Sequence, residues 1–235
     1  MSGRSVLAGL ANVVEERLPQ LLDLRFKTRW KPDGSPVTEA DILLEAEIRG
    51  YLEGMLPGIA VIGEETFTPE TRAPASGWLA VVDPVDGTEN FCSGLKEWGV
   101  SVTLWKDGGH AASLLMLPEL GERLMTGDAI PLLASRIVGL SSTLTPETAE
   151  ALSQLDEARI IGCSVYNLFN VVRGSFCRFF NPRGAHSWDL LAGAMLALEH
   201  RCDVIIDGVP YDGRFLEAGR RHRVDIRHRY DLHPR

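Results

Sequence analysis

Cysteine is scarce in this chain of 235 residues: Cys92, Cys163, Cys177 and Cys202 are the whole supply, and no Cys-x-x-Cys spacing pairs any two of them. That excludes the usual thiolate zinc sites and favours four reduced thiols in a cytoplasmic setting over a disulfide framework. Long apolar runs are missing too, none approaching the roughly 18 residues that span a bilayer. The N-terminus lacks the pattern of a secretion signal, since the apolar patch at 6–10 is soon interrupted by Glu15 and Glu16. There is no internal repeat and no low-complexity tract. Positive charge is in deficit, with a net charge of −8, which suits divalent cations and argues against a nucleic-acid polymer as partner. What basic charge there is gathers at the end. Residues 213–235 hold seven arginines against Glu217, Asp225 and Asp231, with His222, His228 and His233 among them. That stretch reads as a solvated or subunit-packed terminus.

Apolar residues make up 45% of the chain, enough for a substantial core. Their spacing predicts helices over 5–26 and from 37 or 38 to 56, the second capped by Thr38. Strands follow near 59–63, 78–83, 98–105, 110–117 and 122–126, with Gly108-Gly109 as a hairpin turn. Beyond these, strands near 136–140, 158–162, 176–180 and 203–207 alternate with helices over 146–155, 164–173 and 187–199. The pattern is a mixed α and β protein. It divides into a 1–128 α+β half and a 129–235 α/β half within one compact unit.

The densest chemistry lies in Asp83-Pro84-Val85-Asp86-Gly87-Thr88, directly after the apolar run Trp78-Leu79-Ala80-Val81-Val82. Two carboxylates at the end of a buried strand repel each other and hold raised pKa values unless a cation sits between them. Gly87-Thr88 then opens a helical turn, whose free N–H groups suit an anion such as phosphate. Three more blocks carry acids in similar settings: Lys31-Pro32-Asp33-Gly34-Ser35 running on through Thr38 to Asp41, Val61-Ile62-Gly63-Glu64-Glu65, and Ser187-Trp188-Asp189 at the start of an apolar helix. None of the four contains histidine or cysteine, so the donor set is hard oxygen, suited to magnesium or manganese rather than zinc.

In order and chemistry these blocks resemble the inositol monophosphatase-like family of magnesium-dependent, lithium-sensitive phosphatases. The resemblance implies a layered α-β-α-β-α fold, a homodimer and a small phosphorylated substrate. It implies that Glu64, Asp83 and the Val85 carbonyl hold one Mg2+ (or Mn2+), and that Asp83, Asp86 and Asp189 hold a second. Asp41 and Thr88, with Glu64, would then act catalytically by preparing a water, while Gly87 and Thr88 offer N–H groups to the phosphate. Arg183 and His186 are candidate substrate contacts; Trp188 is core packing beside a ligand. Lys31, Asp33 and Ser35 match a loop of that family and read equally well as a polar turn.

Three departures bear on substrate rather than on metal. His200-Arg201-Cys202 stands where the family has paired glycines, the segment after the strand at 122–126 is short, and Pro182 falls where inositol-specific members carry an acid. The expected activity is hydrolysis of a small phosphomonoester: an inositol, histidinol or sugar phosphate or a nucleotide 3′-phosphate. The stretch from Phe91 to Gly99 leans towards histidinol-phosphate phosphatases. The rival is a catalytically idle relative that binds metal or a partner protein.

Overall fold

The computed structural model describes residues 2–143 and 145–229. Helix α1 (Gly3–Leu24) starts at Ser2, whose hydroxyl accepts from the Ser5 amide, and turns Val6, Leu7, Leu10, Ala11, Val14 and Leu21 inward. A short hairpin, β1 (Thr28–Trp30) and β2 (Pro36–Thr38), leads into α2 (Glu39–Met55). The two helices cover one face of a five-stranded sheet built from β3 (Ala60–Gly63), β4 (Trp78–Asp86), β5 (Gly99–Lys106), β6 (Gly109–Leu117) and β7 (Glu122–Met125), in that order. Only β3 and β4 run parallel; the other neighbours are antiparallel.

Strand β4 shows why helices can pack on both faces of this sheet. Ala80 and Val82 join the core beneath α1 and α2, whereas Leu79 and Val81 join a second core on the opposite face. That second core belongs to α5 (Ser164–Val172) and α6 (Ser187–Glu199), which are sandwiched between the first sheet and a second one. The second sheet comprises β8 (Val138–Leu140), β9 (Ala158–Ile160), β10 (Arg178–Ala185), β11 (Asp203–Ile206), β12 (Val209–Pro210) and β13 (His222–Arg227), in the spatial order β12-β11-β13-β10-β8-β9. Phe179 of β10 faces the inner helices, and Phe180 shares an outer groove with Glu147 of α4 (Pro146–Ser153). The layers therefore run α-β-α-β-α, as the resemblance implied. No helix among the described residues is long and apolar enough to cross a membrane.

Three local expectations need correction. The acids of the central motif lie inside β4, which runs on to Asp86 across a register shift between Asp83 and Asp86, so the turn comes at Gly87. Strand β10 continues to Ala185 instead of stopping at 180, through a second irregularity between Asn181 and Ala185. Nor is the basic C-terminal stretch a solvated tail over its described part: β13 is an interior strand, hydrogen-bonded to β10 on one side and β11 on the other. His222, Val224 and Ile226 are buried while Arg223 and Arg227 are exposed, an alternation masked by the number of charges. Residues 230–235, with Asp231 and His233, lie outside the described residues.

Where the family's glycine pair is replaced, Arg201 takes a left-handed backbone with φ of 60° just past the end of α6. A side chain in that conformation costs about 1 kcal/mol relative to glycine, partly offset by glycine's greater freedom when unfolded. Arg201→Gly should therefore raise the thermal midpoint by a degree or a few. A lowered midpoint would mean that the arginine side chain contributes packing beyond its backbone strain.

Candidate active site

A cleft of about 630 Å³ gathers the residues that follow β3, end β4 and open α3 (Thr88–Cys92), α5 and α6, together with the end of β10. At one end, carboxylate oxygens of Glu64, Asp83 and Asp189 lie within 4.8 Å of one another. Asp83 is fully buried; one of its oxygens accepts from the Val85 amide at 3.0 Å, and the other is buried without a hydrogen-bond partner. The bulge in β4 creates this arrangement. Pro84 has no N–H to give the ladder, so Asp83 pairs with Ser101 while Asp86 pairs with Gly99, three steps on one strand against two on the other.

Asp189 is the third residue of α6, and its Oδ2 accepts from the His186 amide at 2.6 Å, closing a capping box. Burial, then the charges of Asp86 and Glu64, push its carboxyl up to about 8. Burial, with Glu64, Asp86 and Asp189 adding to it, raises Asp83 well above the carboxylate range. Asp86 stands beside the trio rather than in it. Its Oδ2 accepts from the Val165 amide and from the Cys163 thiol (3.0 Å); these donors oppose its burial and its carboxyl comes to about 6. Gly87 adopts φ of 83°, and a Cβ there would stand 2.9 Å from that of Cys163, so only glycine fits the turn.

Thr88 Oγ1 lies 3.0 Å from Asp41 Oδ1 and 2.9 Å from the Val85 carbonyl, two acceptors for one hydroxyl proton. Asp41, also buried, sits at the third position of α2; its other oxygen accepts from the amide (2.9 Å) and hydroxyl of Thr38. Burial raises the Asp41 pKa, against the lowering effect of those hydrogen bonds. In the turn between β1 and β2, Lys31 donates to Glu64 at 2.9 Å and Glu65 at 2.8 Å. Its burial alone would depress it, but the two glutamates outweigh that and raise it overall. Asp33 instead holds Ser35 within the turn. Burial lifts Glu65 to about 7.

Another wall comes from the end of β10, the start of α6 and the loop after β3. His186 stacks on Trp188, ring centroids 4.7 Å apart, and Trp188 reaches Phe67 at 5.2 Å. Burial, then Arg221 and His222, lower His186 to about 4, so its imidazole is neutral at physiological pH. Arg183 donates to Thr143 Oγ1 at 3.1 Å on the rim. Pro182 does not face this space; it lines the outer groove with Phe180, while Asn181 lines the cleft.

Three participants escaped the sequence reading. Glu45, buried, accepts from the Glu65 amide (2.8 Å) and the Thr66 hydroxyl (2.6 Å), and its carboxyl fills the space where a Cβ on Gly63 would be, 2.3 Å away. It therefore fixes the backbone on both sides of Glu64. Its position four residues after Asp41, on the same face of α2, was the available signal. Cys163 caps α5 and donates to Asp86, a role for which the sequence offered no signal. Arg221 lies in the stretch read as tail; it lines the cleft and donates to the Gly184 carbonyl at 3.2 Å.

The donor set fits a hard divalent cation: the clustered ligand atoms are all carboxylate oxygen, and one buried Asp83 oxygen has no partner. Without a cation the folded protein holds carboxyl protons that the unfolded chain releases near the ordinary aspartate value of 3.8, so stability falls as pH rises towards about 8. A cation displaces those protons. The increase in thermal midpoint produced by saturating Mg2+ should thus be larger at pH 8 than at pH 6; an equal or smaller increase would show that the cluster is already ionised without metal. Glu45→Ala, by freeing the Glu64 backbone, should raise the Mg2+ concentration giving half-maximal stabilisation several-fold, whereas Glu45→Gln, which still accepts from the Glu65 amide, should stay near the parent. Equal Mg2+ titrations for all three would assign Glu45 to packing alone.

The profile of the inositol monophosphatase family matches residues 4–129. A histidinol-phosphatase of Mycobacterium tuberculosis is 40% identical over 102 residues, covering 43% of this chain and 37% of its own length. One from Streptomyces coelicolor is 38% identical over 122 residues, covering 50% and 44%. The chain thus spans less than half the length of these two relatives. A Streptomyces griseus protein named glucose-1-phosphate thymidylyltransferase is 29% identical over 210 residues, 80% of each chain. Among solved structures, an IMPase/NADP phosphatase complexed with NADP and Ca2+ superposes with a TM-score of 0.79 at 18% identity, over 95% of this chain and 89% of the other. The extragenic suppressor protein SuhB of Bartonella henselae gives 0.75 at 19% identity, over 94% and 92%. At such identities the structural likeness establishes the fold, and the profile match over more than half the chain establishes the rest: this protein belongs to the inositol monophosphatase family.

Proposed function

We propose that the protein is a magnesium-dependent phosphomonoesterase acting on a small phosphorylated alcohol. The observation that carries this reading is the junction of two arrangements in one cleft: three clustered carboxylates with an unpartnered Asp83 oxygen, and a Thr88 hydroxyl held between Asp41 and the Val85 carbonyl. Glu64, Asp83 and the Val85 carbonyl would hold one cation, and Asp83, Asp86 and Asp189 another. Bound Mg2+ would supply neutralisation of the phosphate oxygens, a lowered pKa for the attacking water and charge stabilisation of the departing alkoxide.

The chain's own residues supply orientation and a place for the proton. Thr88 Oγ1, with its hydrogen directed to Asp41, presents a lone pair to the attacking water. Asp41 is suited to take up the proton through that hydroxyl because burial has raised its basicity. The Gly87 and Thr88 amides would meet the phosphate; α3 has only five residues and so a weak dipole, which leaves their part to orientation. Glu64 completes the catalytic group once Lys31 yields its place beside it. Arg183 and His186 would face the alcohol. Lithium inhibition and a homodimer belong to the same reading by family resemblance, and a cytoplasmic setting by the four unpaired cysteines. Histidinol phosphate is the second substrate reading, favoured by the two histidinol-phosphatases among the relatives.

The test is phosphate release from a panel of inositol, histidinol, sugar and nucleotide monophosphates with Mg2+ and with chelator. Activity should require the metal. Asp83→Asn should abolish turnover, because both cations lose a ligand. Thr88→Ala should lower kcat by about 10²–10⁴ while leaving Mg2+ affinity near the parent value. Full activity in chelator would overturn the metal mechanism, and an unchanged kcat in Thr88→Ala would remove the water-orienting role.

A further inference from the structure

Besides its acids, the cleft is lined by two guanidinium groups, Arg183 and Arg221, that have no carboxylate within ion-pair distance among the described residues. This sets them apart from Arg178, Arg214, Arg220, Arg227 and Arg229, each of which pairs with an aspartate. An arginine without a carboxylate is ordinary on an open surface. Two of them lining one concave site are not explained by solubility.

Their convergence is built into the backbone. Ala185 of β10 pairs with His222 of β13, and Gly184 lies so close to β13 that a Cβ would stand 2.9 Å from the His222 carbonyl. Gly184 also has φ of 86°, so only glycine allows this approach. Arg183 of β10 and Arg221, the residue just before β13, flank this crossing and both line the cleft. Each guanidinium is steadied by one neutral contact, Arg183 on Thr143 Oγ1 and Arg221 on the Gly184 carbonyl. A guanidinium carries five N–H donors, so most of each fork stays free for an oxyanion. Ser141 adds a hydroxyl on this side of the cleft, its oxygen buried and without a hydrogen-bond partner.

We propose that the alcohol released by this protein carries a second anionic group, a phosphate or a carboxylate, which Arg183 and Arg221 clamp while the scissile phosphate lies at the acidic end. The proposal rests on the phosphomonoesterase reading above and narrows its substrate class. Guanidinium groups bind such oxyanions through paired, charge-assisted hydrogen bonds. The same two charges disfavour an alcohol bearing an amine, which places a phosphorylated amino alcohol at a disadvantage.

Matched substrates test it with the full-length chain and Mg2+. A sugar bisphosphate is compared with the monophosphate of the same sugar, a phosphorylated hydroxy acid with its amide, and histidinol phosphate serves as the cationic member. The two-anion member of each pair should be favoured about tenfold or more in kcat/KM, with an advantage that shrinks as salt is raised. The bisphosphate and hydroxy-acid pairs decide between phosphate and carboxylate as the second group. Arg221→Ala and Arg183→Ala should each raise KM for the two-anion member about tenfold more than for its partner, with kcat little changed, and Arg221→Lys should recover part of that loss. Preference for the neutral or cationic members, or equal KM changes within each pair, overturns the second-anion site while leaving the phosphomonoesterase reading standing. Release of phosphate from no member overturns both.

Discussion

Mutual repulsion among buried carboxylates is the constraint around which this molecule is built. Glu64, Asp83, Asp86 and Asp189 arrive from the end of β3, the bulge of β4 and the first turn of α6, and are brought together at the floor of the cleft, Asp83 and Asp86 buried and Glu64 and Asp189 half-buried. Such a cluster opposes folding unless protons or cations neutralise it. Each member is accordingly held by something other than attraction to its neighbours. Asp83 is tied to the Val85 amide, Asp189 to the His186 amide, Asp86 to Val165 and Cys163, and Glu64 to Lys31. Backbone amides, one thiol and one lysine thus enforce a geometry that the charges themselves resist.

The layering makes that enforcement affordable. β4 is covered on both faces, by α1 and α2 on one side and α5 and α6 on the other, so a bulge at its end cannot relax by sliding the strand. Helix α2 contributes twice from one face: Asp41 reaches Thr88, and Glu45, one turn on, clamps the chain around Glu64. Gly63 is the complement of Glu45, since any side chain there would expel the carboxyl. A helix that looks like scaffold also supports both the Thr88–Asp41 hydrogen bond and the first acid of the cluster.

The same features explain what could and could not be read from the chain. The four acidic blocks were legible because each compresses its chemistry into a few neighbouring residues, and the alternating pattern gave the layers nearly element by element. β13 was hidden because its outward positions are Arg223, Asp225 and Arg227, and a period of two with charge on every second residue resembles a polar tail. The extension of β10 was hidden by Pro182 and Gly184, residues that ordinarily end a strand and here mark an irregularity within one. Glu45, Cys163 and Arg221 act across long sequence separations, and no local spacing announces a carboxyl filling the space beside a distant glycine. Pro182 shows the opposite error: alignment by motif put it in the site, whereas the alternation of β10, with Asn181 and Arg183 towards the cleft, puts it outside.

Chemistry and selectivity are carried by different kinds of structure. The acidic end is fixed by a strand bulge, a helix cap and buried hydrogen bonds, so moving any member by an ångström disturbs a core on either side of the first sheet. The far rim is carried by strand ends and exposed guanidinium groups of the second sheet, whose exchange for other side chains leaves both cores intact. Gly184 is the exception there, because its close approach to β13 sets where the rim residues emerge. Substrate preference in such a cleft can change by substitution at positions like Arg183 and Arg221 without touching the carboxylates. A 40% identity to a histidinol-phosphatase over 102 residues, 37% of that protein's length, therefore does not by itself carry the relative's substrate over to this cleft.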